Sequence, residues 1–265
     1  RVSPALLSWA LFTLPLPIMI PFVMLSGIPA INTLFLIGVI GSSLTFVFAK
    51  TLFNGALKNN IVSQILPLTA FAGLFSYIFG LILLSESLRF IPVLGLVAIV
   101  AGAYILNADQ AREDIFRPFK LLFNTRGALL LLASIILGSL TVILDKMGVI
   151  NTFPKNPIFV IICEQVIQSA FMTGYLIKKE GRIWIPSLKR NFNLLFLNSL
   201  LYLAISFLVL YAYIDGPAAL VTGIKRLQIF IALTLGIIFL KDKPTKHAWI
   251  ATIIMILGVL MIKLG

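Results

Sequence analysis

Two adjacent cations lie inside an apolar stretch of this sequence. Residues 217–243 read PAALVTGIKRLQIFIALTLGIIFLKDK, which is long and apolar enough for a membrane-spanning helix. Lys225 and Arg226 come about eight residues after its start, roughly 12 Å along a helix. A charge this deep costs about 2.5–3.5 kcal/mol on insertion scales. The pair therefore predicts a site where water, a counter-ion or a bound anion compensates the charge. In the alternative interpretation, both long side chains reach back to the nearer interface.

Polar residues at helical spacing occur on two other apolar segments. Lys50 and Asn54 are four positions apart and share one helix face. Tyr202 and Ser206 repeat this spacing on a later segment. Each stripe favours either the lining of a cavity or hydrogen-bonded contact between helices.

A carboxylate also lies deep in an apolar segment. Glu164 and Gln168 are four positions apart on one face of the segment 156–178. Two roles remain open for Glu164. It is either a structural counter-ion to one of the buried cations or a proton-carrying carboxylate. Asp145 and Lys146, near the end of the segment 126–150, are expected at the membrane interface.

Composition restricts the class of protein. The chain has 265 residues, of which 60% are hydrophobic and 11% charged, whereas a soluble domain is about a quarter charged. The apolar runs have the length of helices rather than of barrel strands, so we expect an all-α integral membrane protein. The formal charge of +12 is expected on loops that face the cytoplasm and anionic lipid, not on a nucleic-acid surface.

Little supports a metal or cofactor. Cys163 is the single cysteine and His247 the single histidine, so an internal disulfide is impossible and a histidine-based metal site is nearly excluded. We expect no cofactor. The sequence lacks a P-loop, so an ATP-driven pump is not expected in this chain.

Nine apolar segments with short connections predict nine membrane-spanning helices. They lie at about 4–26, 32–57, 61–84, 91–107, 126–150, 156–178, 193–214, 217–240 and 247–264.

The chain contains an internal duplication. Glu86 and Asp242 are 156 residues apart (242 − 86), and the same offset superposes GLILLSES on GIIFLKDK and VAGAYIL on ILGVLMI. The segment 126–150 has no partner, so we expect that one helix is missing before residue 1. The intact protein would have ten helices in two repeats, here residues 1–107 and 126–265 with a connecting loop at 108–125. Five helices per repeat invert the second copy, an architecture typical of alternating-access transporters.

Matched helix-weakening residues occur in the two copies. Pro67 and Gly223 are related by the same offset, and Gln64 precedes the first of them. Such breaks at corresponding positions indicate a binding site and a gate, so Gln64 is a candidate site residue.

The doubled pattern resembles a known family. Its motifs are LILLSESLRF with LVAIVAGAYIL, and LGIIFLKDKPTKH with IATIIMILGVLMI. They are similar to the EamA-like domain, two of which form a member of the drug/metabolite transporter superfamily. The resemblance covers essentially the whole chain and implies a secondary transporter with a cavity lined by the third, fourth, eighth and ninth of ten helices. It implies no single substrate, and the second copy departs from the pattern with Asp242 in place of glutamate.

A narrower likeness concerns the cations. GIKRL resembles the Lys-Arg pair on the ninth helix of plant triose-phosphate translocators and nucleotide-sugar transporters. In the phosphate translocators that pair contacts the substrate phosphate. The resemblance therefore implies anion binding by Lys225 and Arg226.

These observations predict a permease of the cell membrane for a small anionic or zwitterionic metabolite, with a coupling proton or counter-substrate as a further partner. Lys225 and Arg226 would hold the anionic group, while Lys50, Asn54 and Gln64 complete the pocket and Tyr202 forms a wall. An alternative is an exporter of neutral or cationic amino acids or drugs that uses Glu164. An intramembrane enzyme is a remote alternative, because no paired acidic metal motif, GxSxG or HExxH occurs.

Overall fold

The computed structural model describes residues 2–57, 66–110, 125–181, 183–235, 238–239 and 246–264. Each of the nine predicted apolar segments contains at least one helix among its described residues. Among the described residues, six helices are long and apolar enough to cross a membrane, and two shorter apolar helices accompany them. The prediction of an all-α membrane fold is confirmed.

The described residues form α-helices, one 3-10 helix and two short strands. Their bounds are α1 Pro4–Thr13, α2 Leu16–Ser26, β1 Ala30–Ile31, α3 Thr33–Leu57, a 3-10 helix Leu66–Phe71, α4 Ala72–Leu84, α5 Phe90–Gln110, α6 Arg126–Ile150, β2 Thr152–Phe153, α7 Pro157–Glu180, α8 Trp184–Arg190, α9 Phe192–Ala212, α10 Ala218–Lys225, α11 Gln228–Leu235 and α12 Lys246–Leu264.

Two predicted helices are interrupted. The segment 4–26 divides into α1 and α2 at Pro15, whose missing N–H cannot continue the helical hydrogen-bond ladder. The segment 217–240, which was predicted as a helix weakened at Gly223, is interrupted shortly after that glycine, because α10 ends at Lys225 and α11 begins at Gln228. Two additional features were not predicted. They are the short helix α8 and the antiparallel pairing of β1 with β2.

Helices that correspond in the sequence repeat pack against each other in opposite directions. On α1 and α7, Thr13 Oγ1 lies 2.7 Å from Ser169 Oγ. One turn earlier on α1, Trp9 Nε1 donates to Thr173 Oγ1 at 2.8 Å, one turn later on α7. The two contacts show that α1 and α7 are antiparallel, which is the arrangement of corresponding helices in an inverted repeat.

The same relation holds between α5 and α12, where small residues allow close contact. A Cβ added at Gly95 would lie 2.5 Å from the Gly258 carbonyl oxygen, and one at Gly102 would lie 2.7 Å from that of Ala251. Gly95 corresponds to Ala251 in the sequence repeat, and Gly102 corresponds to Gly258. The two contacts therefore involve equivalent pairs of residues, with the roles of the two helices exchanged. Small residues at such a crossing let two membrane helices approach closely.

The chain forms two compact units. The first contains Arg1–Leu44 and Leu144–Asp215, and the second contains Thr45–Ile143 and Gly216–Gly265. The division falls within α3 and α6, so each unit contains parts of both repeats.

Apolar side chains also face outward. Only 17% of the most apolar stretch of α9 is buried, as expected for a helix that faces lipid. Exposed large residues recur every three or four positions along it: Leu194, Leu197, Leu201, Ile205 and Leu208.

Candidate functional site

A cavity of about 320 Å³, lined by both polar and apolar residues, lies within the second unit. Its walls come from the 3-10 helix with α4, from α6, and from α10 with α11. The lining residues are Thr69, Ala72, Ser76, Ile135, Gly138, Ser139, Val142, Thr222, Lys225, Arg226 and Gln228. The structure therefore brings two of the predicted site residues, Lys225 and Arg226, into one cavity.

The break between α10 and α11 falls at the two cations that line the cavity. Here the backbone tightens after Lys225, because the N–H groups of Arg226 and Leu227 donate to the carbonyls of Gly223 and Ile224 at 2.9 Å. These are i to i−3 bonds of the 3-10 type, which interrupt the α-helical register. Both cations also lie at the C-terminal end of α10, where the helix dipole stabilises positive charge.

Two buried hydroxyl groups in the cavity wall make no hydrogen bond. They are Ser76 Oγ, whose residue is fully buried, and Thr222 Oγ1, whose residue is 8% exposed. A buried polar atom without a partner costs about 1–3 kcal/mol, so these two hydroxyls are candidates for hydrogen bonds to a water or solute in the cavity. Thr222 lies one turn before Lys225 and Arg226 on the same face of α10.

The Ser139 hydroxyl serves a different purpose in the same wall. It lies 3.0 Å from the Ala72 carbonyl oxygen and 2.9 Å from that of Ile135. Ser139 thereby connects α6 to the start of α4, and its hydroxyl is already satisfied by the protein.

Lys50 and Asn54 lie on α3 and are half-buried. Lys50 Nζ is 5.8 Å from the centroid of the Phe53 ring, within the range of a cation–π contact. Neither residue is among those that line the cavity. Gln64 lies outside the described residues, so the prediction for it stays a prediction.

Glu164 and Gln168 are buried on α7 in the first unit, at 7% and 6% exposure. Ser42 Oγ donates to Glu164 Oε1 at 3.0 Å. The side chain of Asp145 lies close to that of Glu164.

Tyr202 belongs to α9 in the first unit and packs against α1. Its ring meets Phe12 edge to face, with centroids 5.7 Å apart and planes at 80°. Its hydroxyl forms a hydrogen bond with Ser206. Tyr202 is therefore fixed by aromatic packing and by its own helix.

Several features of the site were missed by sequence reasoning. Ser76, Ser139 and Thr222 were not singled out, although the spacing of Thr222 from Lys225 is a usable signal. The wall formed by α6 was also missed. Lys146, which was expected at the membrane interface, is 9% exposed, and its depth in the membrane stays a prediction.

The sequence matches a family model, and the fold matches a solved structure. The model of the EamA-like transporter family matches residues 125–264, more than half of the chain. The chain belongs to the EamA-like transporter family. This EamA protein is therefore a multi-pass integral membrane protein and a membrane transporter of small molecules. The matched residues are those that the sequence assigns to the second repeat.

Structural comparison gives the fold alone. A solved structure titled "Crystal structure of protein" superposes with a TM-score of 0.73 at 18% identity, over 100% of this chain and 88% of that one. No curated protein matches the sequence.

Proposed function

We propose that this EamA protein is a secondary transporter of the cell membrane for a small organic solute with a carboxylate or phosphate group. Zwitterions are included among such solutes. The observation that supports the proposal is the cavity lined by Lys225 and Arg226 together with the unpartnered hydroxyls of Ser76 and Thr222. Two cations supply the charge for an anion, and two hydroxyls can hydrogen bond to the rest of the solute.

The chemistry of the two cations suits an anionic group. Charge-assisted hydrogen bonds are shorter and roughly twice as strong as neutral ones. A guanidinium can bind a carboxylate or phosphate with two parallel bonds, while an ammonium acts as a compact point charge. The cavity volume of about 320 Å³ is at the small end of ligand pockets, which span about 300–1,000 Å³. A compact metabolite fits this volume better than a nucleotide sugar.

The broken helix supports a mechanism of alternating access. Half-helices at the midplane of inverted-repeat transporters bind substrate and allow one repeat to rock against the other. Here α10 presents Lys225 at its end, and Arg226 follows in the break. In this mechanism the anionic group neutralises both cations and so lowers the cost of moving them between the two access states. Lys50, Asn54, Gln64 and Tyr202 stay predicted contributors to the path.

The buried carboxyl groups of the first unit favour a second candidate. In an exporter of neutral or cationic amino acids or drugs, Glu164 and Asp145 would hold a coupling proton between them. Solute transport by the Glu164→Gln variant in liposomes distinguishes the two candidate functions. Loss of the pH dependence of transport with retained solute binding supports the exporter, and an unchanged pH and voltage dependence contradicts it.

The anion site is tested in two stages with purified protein. A thermal-shift screen against amino acids, phosphorylated sugars and nucleotides identifies a ligand, because a ligand bound to the folded state raises its apparent stability. Lys225→Gln and Arg226→Gln are then compared with Lys263→Gln, which changes an exposed lysine on α12. We expect affinity and liposome transport to fall about tenfold or more in the first two variants and to persist in the third. Unchanged affinity and flux for every accepted solute would contradict the anion role.

A further inference from the structure

Glu86 contacts the beginning of the half-helix that presents Lys225. Its carboxylate accepts the backbone N–H of Ala218, at 3.1 Å for Oε2 and 3.4 Å for Oε1. Ala218 is the first residue of α10, and Lys225 is the last. The Glu86 carboxylate therefore binds the N-terminus of α10. At a rise of 1.5 Å per residue, this end of the helix lies about 10 Å from the cations.

The turn after α4 aims the Glu86 side chain at this helix end. Ser85 takes a left-handed backbone conformation, with φ of 53°, and closes α4. The Glu86 N–H then donates to the Gly80 carbonyl at 3.0 Å. A Cβ added at Gly80 would lie 2.9 Å from Glu86 Oε2, too close for an ordinary contact. Glycine at position 80 thus leaves the space that the carboxylate occupies.

The half-helix has no N-cap of its own. Pro217 occupies the N-cap position and makes no side-chain hydrogen bond. An acceptor there normally stabilises a helix by about 1 kcal/mol, and a negative charge at an N-terminus adds a favourable interaction with the helix dipole. Glu86 supplies both from a distant part of the chain, while Lys225 lies at the negative end of the same dipole.

We propose that Glu86 is a positioning residue for the anion site. By fixing the N-terminus of α10, it sets where Thr222 and Lys225 meet the solute in the cavity. The proposal rests on the function proposed above and names a residue 132 positions before Ala218 on which the site depends. Both copies of the sequence repeat have a glycine six positions before an acidic residue. These pairs are Gly80 with Glu86 and Gly236 with Asp242.

A test without substrate measures the position of α10 directly. In a Cys163→Ser background, Thr222→Cys places a thiol in the cavity wall, and Gln228→Cys places one on α11 beyond the break. The rate at which each introduced cysteine reacts with a small thiol reagent is then measured in proteins with glutamate at position 86 and in the Glu86→Ala and Glu86→Gln variants. We expect Glu86→Ala to change the rate at position 222 on the order of threefold or more, with a smaller change at position 228. Glu86→Gln should restore the original rate, because its amide oxygen still accepts the Ala218 N–H.

Gly80→Ala provides an independent variant should Glu86→Ala fail to fold. It displaces the carboxylate without removing it, so it should shift the rate at position 222 as Glu86→Ala does. With alanine at position 86 the same glycine substitution should have little further effect, since the atoms that collide are gone. Glu180→Ala, at the end of α7, is the matched acidic control and should leave the rate unchanged.

The ligand identified by thermal shift gives the second readout. Glu86→Ala should weaken its binding about tenfold in folded protein, and Glu86→Gln should recover the affinity. Folded Glu86→Ala and Gly80→Ala proteins with unchanged rates at position 222 would overturn the proposal. Should Lys225→Gln and Arg226→Gln leave all ligand affinities unchanged, the anion role fails, while the labelling rates still decide whether Glu86 positions α10.

Discussion

Thr13 and Ser169 lie 156 positions apart in the chain, and their hydroxyl oxygens are 2.7 Å apart. This separation equals the offset of the sequence repeat, so each residue contacts its own counterpart. Self-contact of this kind occurs where two equivalent, oppositely directed helices cross. Around this point α1 and α7 are related as inverted copies.

The Thr13–Ser169 bond should contribute measurably to stability. We expect Thr13→Val and Ser169→Ala each to lower the free energy of unfolding by about 1 kcal/mol. The double variant should lose less than the sum of the two, because either substitution already breaks the bond. Unfolding in detergent measures the three values, and strict additivity would show that the hydroxyls do not interact.

The crossing of α5 with α12 should tolerate no added methyl group. A Cβ at Gly258 would lie 2.6 Å from the Gly95 carbonyl oxygen. We therefore expect Gly258→Ala to lower the free energy of unfolding by about 1–3 kcal/mol through overpacking. Gly174→Ala on α7 is the matched control, since nothing lies within 4 Å of its added Cβ. The control should be neutral or stabilising, and equal melting temperatures for the two variants would contradict the close approach.

Removing the unpartnered cavity hydroxyls should affect binding and stability in opposite directions. Ser76→Ala and Thr222→Val eliminate buried oxygen atoms that no protein group satisfies. We expect the melting temperature without ligand to stay the same or rise, while the affinity for the solute falls about fivefold to tenfold.

Ser139→Ala is the matched control for these hydroxyl variants. It removes a hydroxyl that bonds to Ala72 and Ile135, so it should lower the melting temperature even without solute. Lower stability in all three variants, with no change in affinity, would mean that the hydroxyls serve the fold rather than the solute.

The polar side chains around Glu164 should need a hydrogen-bond acceptor at position 164. Glu164→Leu leaves the Ser42 hydroxyl and the Asp145 carboxyl without this partner, so we expect a loss of about 1–3 kcal/mol in unfolding free energy. Glu164→Gln retains an oxygen for Ser42 and offers an N–H to Asp145, so it should stay close to the original stability. A thermal melt of both proteins compares them. Equal losses would show that the charge of Glu164, rather than its hydrogen bonds, stabilises this region.

Local composition was sufficient to predict most helices of this protein. An uninterrupted apolar run must satisfy its backbone internally in lipid, and Arg126–Ile150 spans the predicted residues for this reason. The duplication was readable as well, because Glu86 and Asp242 recur with their neighbouring apolar patterns at one offset. The antiparallel packing of equivalent helices follows from an odd number of helices per repeat.

The amino-acid sequence by itself determined the membrane class, the repeat and the presence of two adjacent cations within an apolar segment. Only the tertiary structure decided that the helix breaks after Lys225 and that Thr222 and Ser76 meet the cations in one cavity. A break depends on whether the backbone groups beside it find partners, as the N–H groups of Arg226 and Leu227 do here. Residues far apart in the chain become neighbours only through packing, and local spacing contains no record of that packing.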